Sequence, residues 1–161
     1  MSTVFSDGGA GRVLPRGATG FFRPKDGPLP ETGLRKFRTA LYAAARLAGG
    51  TVGEVREQAY PRTFHTATVT GRAGVHIVLC HARHPWIAFS PERRHWYGEE
   101  FLAPPAWAGP FTAAGFEVLR SEQLATPLTS LAPSALTEGE WREVRFYGIT
   151  TVGGVLFNTW D

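Results

Sequence analysis

Cysteine is almost missing from this sequence: Cys80 is the only one in 161 residues. One thiol cannot form an intrachain disulfide, which excludes the disulfide-stapled class of small secreted domains. Long apolar stretches are missing as well. Nothing in the chain approaches the roughly eighteen consecutive apolar residues that a membrane-spanning helix requires. The N-terminal region lacks the apolar core of a signal peptide, because Arg12, Arg16 and Arg23 interrupt it. The expected compartment is therefore the cytoplasm, with no membrane partner. Lysine is scarce, with only Lys25 and Lys36 among seventeen basic residues. An arginine excess of this kind reflects the coding bias of a high-GC bacterial genome before it reflects nucleic-acid recognition.

What is present has an ordinary globular balance, 43% hydrophobic and 19% charged. A chain of this length buries roughly 70% of its unfolded surface and needs neither metal nor disulfide to fold. The net charge of +3 is unevenly spread. Residues 1–30 carry four basic and two acidic groups, residues 31–97 ten and four, and residues 98–161 three and eight. A strong nucleic-acid binder is usually more basic overall. A bipolar chain with one acidic end is better suited to steering towards a charged protein partner.

Along the chain, residues 1–30 are rich in Gly and Pro without an apolar period and are expected to form an extended arm, pinned by Phe21 and Phe22. Residues 31–161 are expected to form a single α+β domain. Leu34, Phe37, Leu41, Ala44, Ala45 and Ala48 recur at helical spacing, which predicts a helix over 32–47, with Thr32 as N-cap and Gly49-Gly50 as stop. Residues 62–70 and 75–82 flank Gly71-Arg72-Ala73-Gly74 and predict a hairpin. If Thr70 pairs with Val75, then His65 faces Cys80 and Ala67 faces Val78 on one side of the sheet. Strands are also expected at 86–90, 51–59 and 116–119, and a short helix at 111–114. Thr137 and Glu140 match a capping box, so a helix should start there. Residues 151–161 fit a helix or a strand. The expected fold is thus α+β: an N-terminal arm, one long helix packed on a mainly antiparallel sheet, and a helical or mixed C-terminal part.

Several groups could carry chemistry. Cys80 opposite His65 offers a thiolate–imidazole pair, set against Cys80 serving as a small hydrophobe in the most apolar strand. His81 and His84, with His76 or His95 as a further ligand, are weak candidates for a metal, which needs three or four ligands converging in space, and turn histidines with solvated rings are the plainer account. Arg93, Arg94, Trp96 and Tyr97, with His95 between them, combine cations and ring faces that suit either single-stranded nucleic acid or a protein hot spot. Glu99 and Glu100, together with Glu92, flank this stretch and would repel phosphates, which favours a protein partner through Arg93, Arg94, Trp96, Tyr97, Glu99 and Glu100. Glu140 and Glu143 share a helix face, most simply a solvated one. There is no P-loop, nucleophile elbow or dinucleotide fingerprint, so no catalytic residue and no cofactor is assigned.

The stretch Trp141-Arg142-Glu143-Val144-Arg145-Phe146-Tyr147, followed by Val152-Gly153-Gly154-Val155-Leu156-Phe157-Asn158-Thr159-Trp160-Asp161, resembles the ending of small uncharacterised α+β proteins of high-GC bacteria, among them immunity proteins of polymorphic toxin systems. The resemblance is confined to this C-terminal part. It implies a non-enzymatic protein-binding module that neutralises a cognate bacterial toxin. Its basic overall charge departs from the acidic character common among immunity proteins to nucleases. The alternatives are a small hydrolase or metal-dependent enzyme using Cys80 and the histidines, and a nucleic-acid-binding accessory protein. Phe157 and Trp160 also have a purely structural explanation, as anchors of the C-terminus.

Overall fold

The computed structural model describes residues 6–8, 11–21, 27, 31–91 and 99–160. Two short strands, β1 (Ser6–Gly8) and β2 (Gly11–Val13), pair antiparallel at the N-terminus. The long helix α1 spans Leu34–Leu47. It begins one residue later than the hydroxyl-cap pattern predicts: Gly33 is the N-cap, without a side-chain bond. Thr32 is instead tied to the sheet, its backbone N–H donating to the Ala82 carbonyl at 2.8 Å. The helix ends as expected. Gly49 takes φ +68°, and the N–H groups of Gly49 and Gly50 donate to the Arg46 and Ala45 carbonyls, the paired closure that glycine permits because it lacks a Cβ.

Five strands make the main sheet: β3 (Thr51–Arg56), β4 (Phe64–Gly71), β5 (Gly74–His81), β6 (Trp86–Ser90) and β7 (Glu117–Val118), in that order. The first four are antiparallel neighbours, and β7 runs parallel to β6. The β4–β5 register pairs Thr70 with Val75, Ala67 with Val78 and His65 with Cys80, as the two-residue turn between Gly71 and Gly74 demands.

Alternation along these strands divides the interior in two. One face carries Ala67, Val69, Val78, Cys80, Ile87 and Phe89 against Phe37, Leu41 and Ala44 of α1 and against Phe111 of α2 (Gly109–Ala113). The other carries Phe64, Leu79, Trp86 and Ala88 against the C-terminal part, which comprises α3 (Ser121–Leu124), α4 (Glu138–Phe146) and α5 (Val152–Leu156). Helix, sheet and helices therefore form three layers around two apolar interiors. Leu14 and Ala18, from the segment expected to be an arm, are buried in the second of them.

The capping box at α4 is present in both directions: Glu140 N–H donates to Thr137 Oγ1 at 3.2 Å, and Thr137 N–H donates to Glu140 Oε1 at 3.0 Å. The ambiguous tail is helical over α5, with Thr151 Oγ1 accepting from Gly154 N–H at 3.2 Å. No helix among the described residues is long and apolar enough to cross a membrane.

Candidate functional site

The histidines sit where β5 turns into β6. His81 ends β5 on the face covered by the C-terminal helices, and its side chain is fully buried rather than solvated. The plain account of a solvated turn histidine is thus corrected, because the segment at residues 16–19 folds over the ring from more than sixty positions away in sequence. His81 Nε2 lies 2.9 Å from the Ala18 carbonyl, while Nδ1 faces the N–H groups of Arg83 at 3.0 Å and His84 at 3.2 Å. Those partners require a neutral ring with its proton on Nε2. Burial is the main cause that lowers its pKa to about 3, against the opposing bond to Ala18. His84 stacks on Trp86 with centroids 4.4 Å apart, and its Nε2 lies 2.7 Å from the Arg16 carbonyl. Burial lowers its pKa as well.

Two further side chains hold the same segment. Trp160 Nε1 donates to the Thr19 carbonyl at 2.7 Å, and the Thr19 hydroxyl donates to Glu140. His81, His84, Trp160 and Glu140 thus clamp residues 16–19 from the sheet, the tail and α4. Among the described residues no group of three or more His, Cys, Asp or Glu converges as metal ligands would. Nothing in the sequence near Thr19 signals this clamp, since its partners lie 121 and 141 positions away.

The pairing of His65 with Cys80 in the strand register does not produce a working dyad. His65 Nδ1 accepts from the Gln58 N–H at 2.8 Å, its Nε2 lies 3.2 Å from the Thr32 carbonyl, and its ring stacks on Phe37. The Cys80 thiol is buried and contacts the His81 carbonyl at 3.7 Å. Burial pushes its pKa up, outweighing the opposing charge of Lys36, so the reactive thiolate is disfavoured. Native protein is expected to leave Cys80 unlabelled by Ellman's reagent and to release its single thiol only in concentrated guanidinium chloride. Rapid labelling of the folded protein would show that the thiol is accessible after all.

Of the residues expected to meet a partner, Arg93, Arg94, Trp96 and Tyr97 lie outside the described residues, as do Glu92 and His95. Glu99 serves the interior of its own chain. Its carboxylate accepts from the N–H and hydroxyl of Thr150, both at 3.0 Å, and from the N–H and hydroxyl of Thr151 at 2.9 and 2.8 Å. Burial would raise its pKa, but these four bonds to the charged form prevail and lower it. Glu100 is exposed. Glu143 and Glu140 line a cleft of about 830 Å³ between α4 and the N-terminal segment, with Leu14, Arg16 and Phe21 opposite.

The C-terminal stretch is an interior element. Every residue from Val152 to Trp160 is buried. Thr63 N–H donates to the Asn158 carbonyl at 2.9 Å, and Thr63 Oγ1 donates to the Leu156 carbonyl at 2.8 Å, which stitches the tail to the start of β4. No protein-family model, curated protein or solved structure matches the chain. Phe157 and Trp160 act as anchors of this C-terminal stretch.

Proposed function

We propose that the protein is a non-enzymatic protein-binding module of the bacterial cytoplasm, most concretely an immunity-type inhibitor that neutralises a cognate toxin. The observation that carries this reading is the internal commitment of its chemically capable groups. His65 and His81 each have both ring nitrogens engaged within the chain, and Cys80 is buried with a raised pKa. His84 braces the N-terminal segment, and Glu99 anchors the start of α5. Binding through a surface uses none of these groups and needs no cofactor. The bipolar charge of the chain favours a charged protein as the partner.

The test is capture followed by neutralisation. Tagged full-length protein is expected to retain one stoichiometric protein from a lysate of its source bacterium. Expression of that protein alone should arrest growth, and co-expression of this chain should relieve the arrest. A bait that retains no protein, or a partner whose toxicity is unaffected by co-expression, would overturn the immunity reading.

A further inference from the structure

We propose that the outer face of α1 is the docking surface for an acidic protein partner, an inference that rests on the protein-binding function above and adds the chemistry of the partner. The helix contains Arg35, Lys36, Arg38 and Arg46 and no acidic residue. Its inner line, Phe37, Leu41 and Ala44, is buried against the sheet. At 3.6 residues per turn, Arg35, Tyr42 and Arg46 fall within about 40° of one another on the opposite side, with Arg38 flanking them. The line from Arg35 to Arg46 runs about 17 Å along the axis. Arg72, from the β4–β5 turn, extends it past the helix end, where its N–H donates to the Ala48 carbonyl and its guanidinium lies against Gly49.

Among the described residues these cations have no ion-pair partner. The ion pairs among the described residues join Arg56 to Glu54, Arg83 to Glu31 and Arg120 to Glu122, and none involves Arg35, Arg38, Arg46 or Arg72. In the acidic C-terminal part, Glu99 and Glu140 are engaged with Thr150, Thr151, Thr137 and Thr19, and Glu122 pairs with Arg120. An opposing carboxylate-rich surface would convert the exposed guanidinium groups into charge-assisted, bidentate hydrogen bonds and would accelerate encounter.

Apolar exposure on the same helix decides between a protein and a polyphosphate. Tyr42 is 54% exposed midway along the line, while Leu47, 63% exposed, lies about 100° round the helix from Arg46 and off the line. Tyrosine flanked by arginine is the usual composition of the energetic centre of a protein interface.

The test compares the full-length wild type with a triple charge reversal, Arg35→Glu, Arg38→Glu and Arg46→Glu, for affinity towards the protein that the wild type retains from lysate. These side chains are exposed, so the fold should persist, as circular dichroism and a thermal melt can verify. The corresponding triple Arg→Gln variant serves if reversal disturbs the helix. The expected result is a loss of affinity of about a hundredfold or more on reversal, together with loss of the salt sensitivity of the wild-type association rate. Tyr42→Ala, which leaves the charge intact, should weaken binding about tenfold without changing that salt sensitivity. Unchanged affinity in the folded triple variant would place the interface elsewhere and overturn this inference, leaving the protein-binding function intact. A wild type that retains no protein would remove the function and the inference together. A 20-base-pair DNA duplex bound by the wild type and lost by the reversal would make nucleic acid the occupant and would also overturn the inference.

Discussion

Phe157→Ala is expected to remove about 3–5 kcal/mol of folding stability, the range for truncating a buried phenylalanine. Phe157 has no exposed surface, and its ring meets Phe64, Phe101 and His81 with centroids 6.2, 6.0 and 5.9 Å away. Those neighbours come from the sheet, from the segment leading out of β6 and from the histidine clamp, so one truncation opens a void where three elements meet. Collapse around that void is restricted. A Cβ on Gly153 would lie 2.9 Å from the Leu124 carbonyl oxygen and 3.0 Å from Leu124 Cβ, which shows how closely α5 already approaches α3. Against a total of about 5–15 kcal/mol for a typical domain, the loss is a large fraction of what holds the fold. Urea denaturation is the measurement, with Phe146→Ala as control, because Phe146 is 79% exposed and should change stability by less than about 0.5 kcal/mol. A Phe157→Ala midpoint indistinguishable from that of the control would mean that the tail does not belong to the interior.

Acid is expected to weaken the fold steeply, chiefly through His81. Burial holds the ring neutral in the fold and lowers its pKa from 6.5 to about 3. An unfolded chain protonates the same ring near the ordinary value, so between those limits it binds a proton that the native state does not. Stability present at pH 7 is lost as pH falls through this window, by about 1.4 kcal/mol per unit, or about 3 kcal/mol between pH 6 and pH 4. His65 and His84 are lowered in the same direction and add to the slope. Glu99, whose pKa is also lowered, adds its own loss as pH falls through the carboxylate range. Urea midpoints for the wild type and for His81→Gln at several pH values separate these contributions. The variant should be less stable at pH 7, having lost ring contacts with Trp86 and Phe157, yet its stability should fall more gently with acid. Parallel curves for the two proteins would assign the acid sensitivity to other groups.

The elements legible from sequence are those whose determinants are local. The hairpin register follows from two glycines with two residues between them and from alternation on either side, and α4 follows from Thr137 and Glu140 three positions apart. Helix α1 was readable from its apolar spacing, although its cap was not, because Thr32 is drawn to Ala82 by a contact fifty residues distant. The same distinction explains the histidines. His81-Ala82-Arg83-His84 looks polar and turn-like in isolation, and only the folding of residues 16–19 onto it buries the first ring. The parallel pairing of β7 with β6 was similarly invisible, since two residues carry no alternation from which a partner can be inferred. The spacing of Arg35, Arg38 and Arg46 relative to Phe37, Leu41 and Ala44 is enough to turn them away from the apolar stripe of α1. That Arg35, Arg38 and Arg46 have no ion-pair partner among the described residues depends on three-dimensional placement, with Glu31 going to Arg83 and Glu99 and Glu140 to threonines.

The clamp on residues 16–19 also bears on the order in which the molecule can be completed. Its four side chains come from positions 81, 84, 140 and 160, so an early-translated segment is held by groups made at widely different times. The β4–β5 hairpin has its neighbouring strands, β3 and β6, available once the first ninety residues have been made. The bond from Trp160 to Thr19 spans 141 positions and cannot form until residue 160 has been synthesised. Closing so long a loop costs entropy that local contacts do not incur, which makes the docking of the N-terminal segment a late event in folding. During synthesis, Leu14 and Ala18 must therefore wait for their C-terminal neighbours, with part of the second apolar interior still open to water.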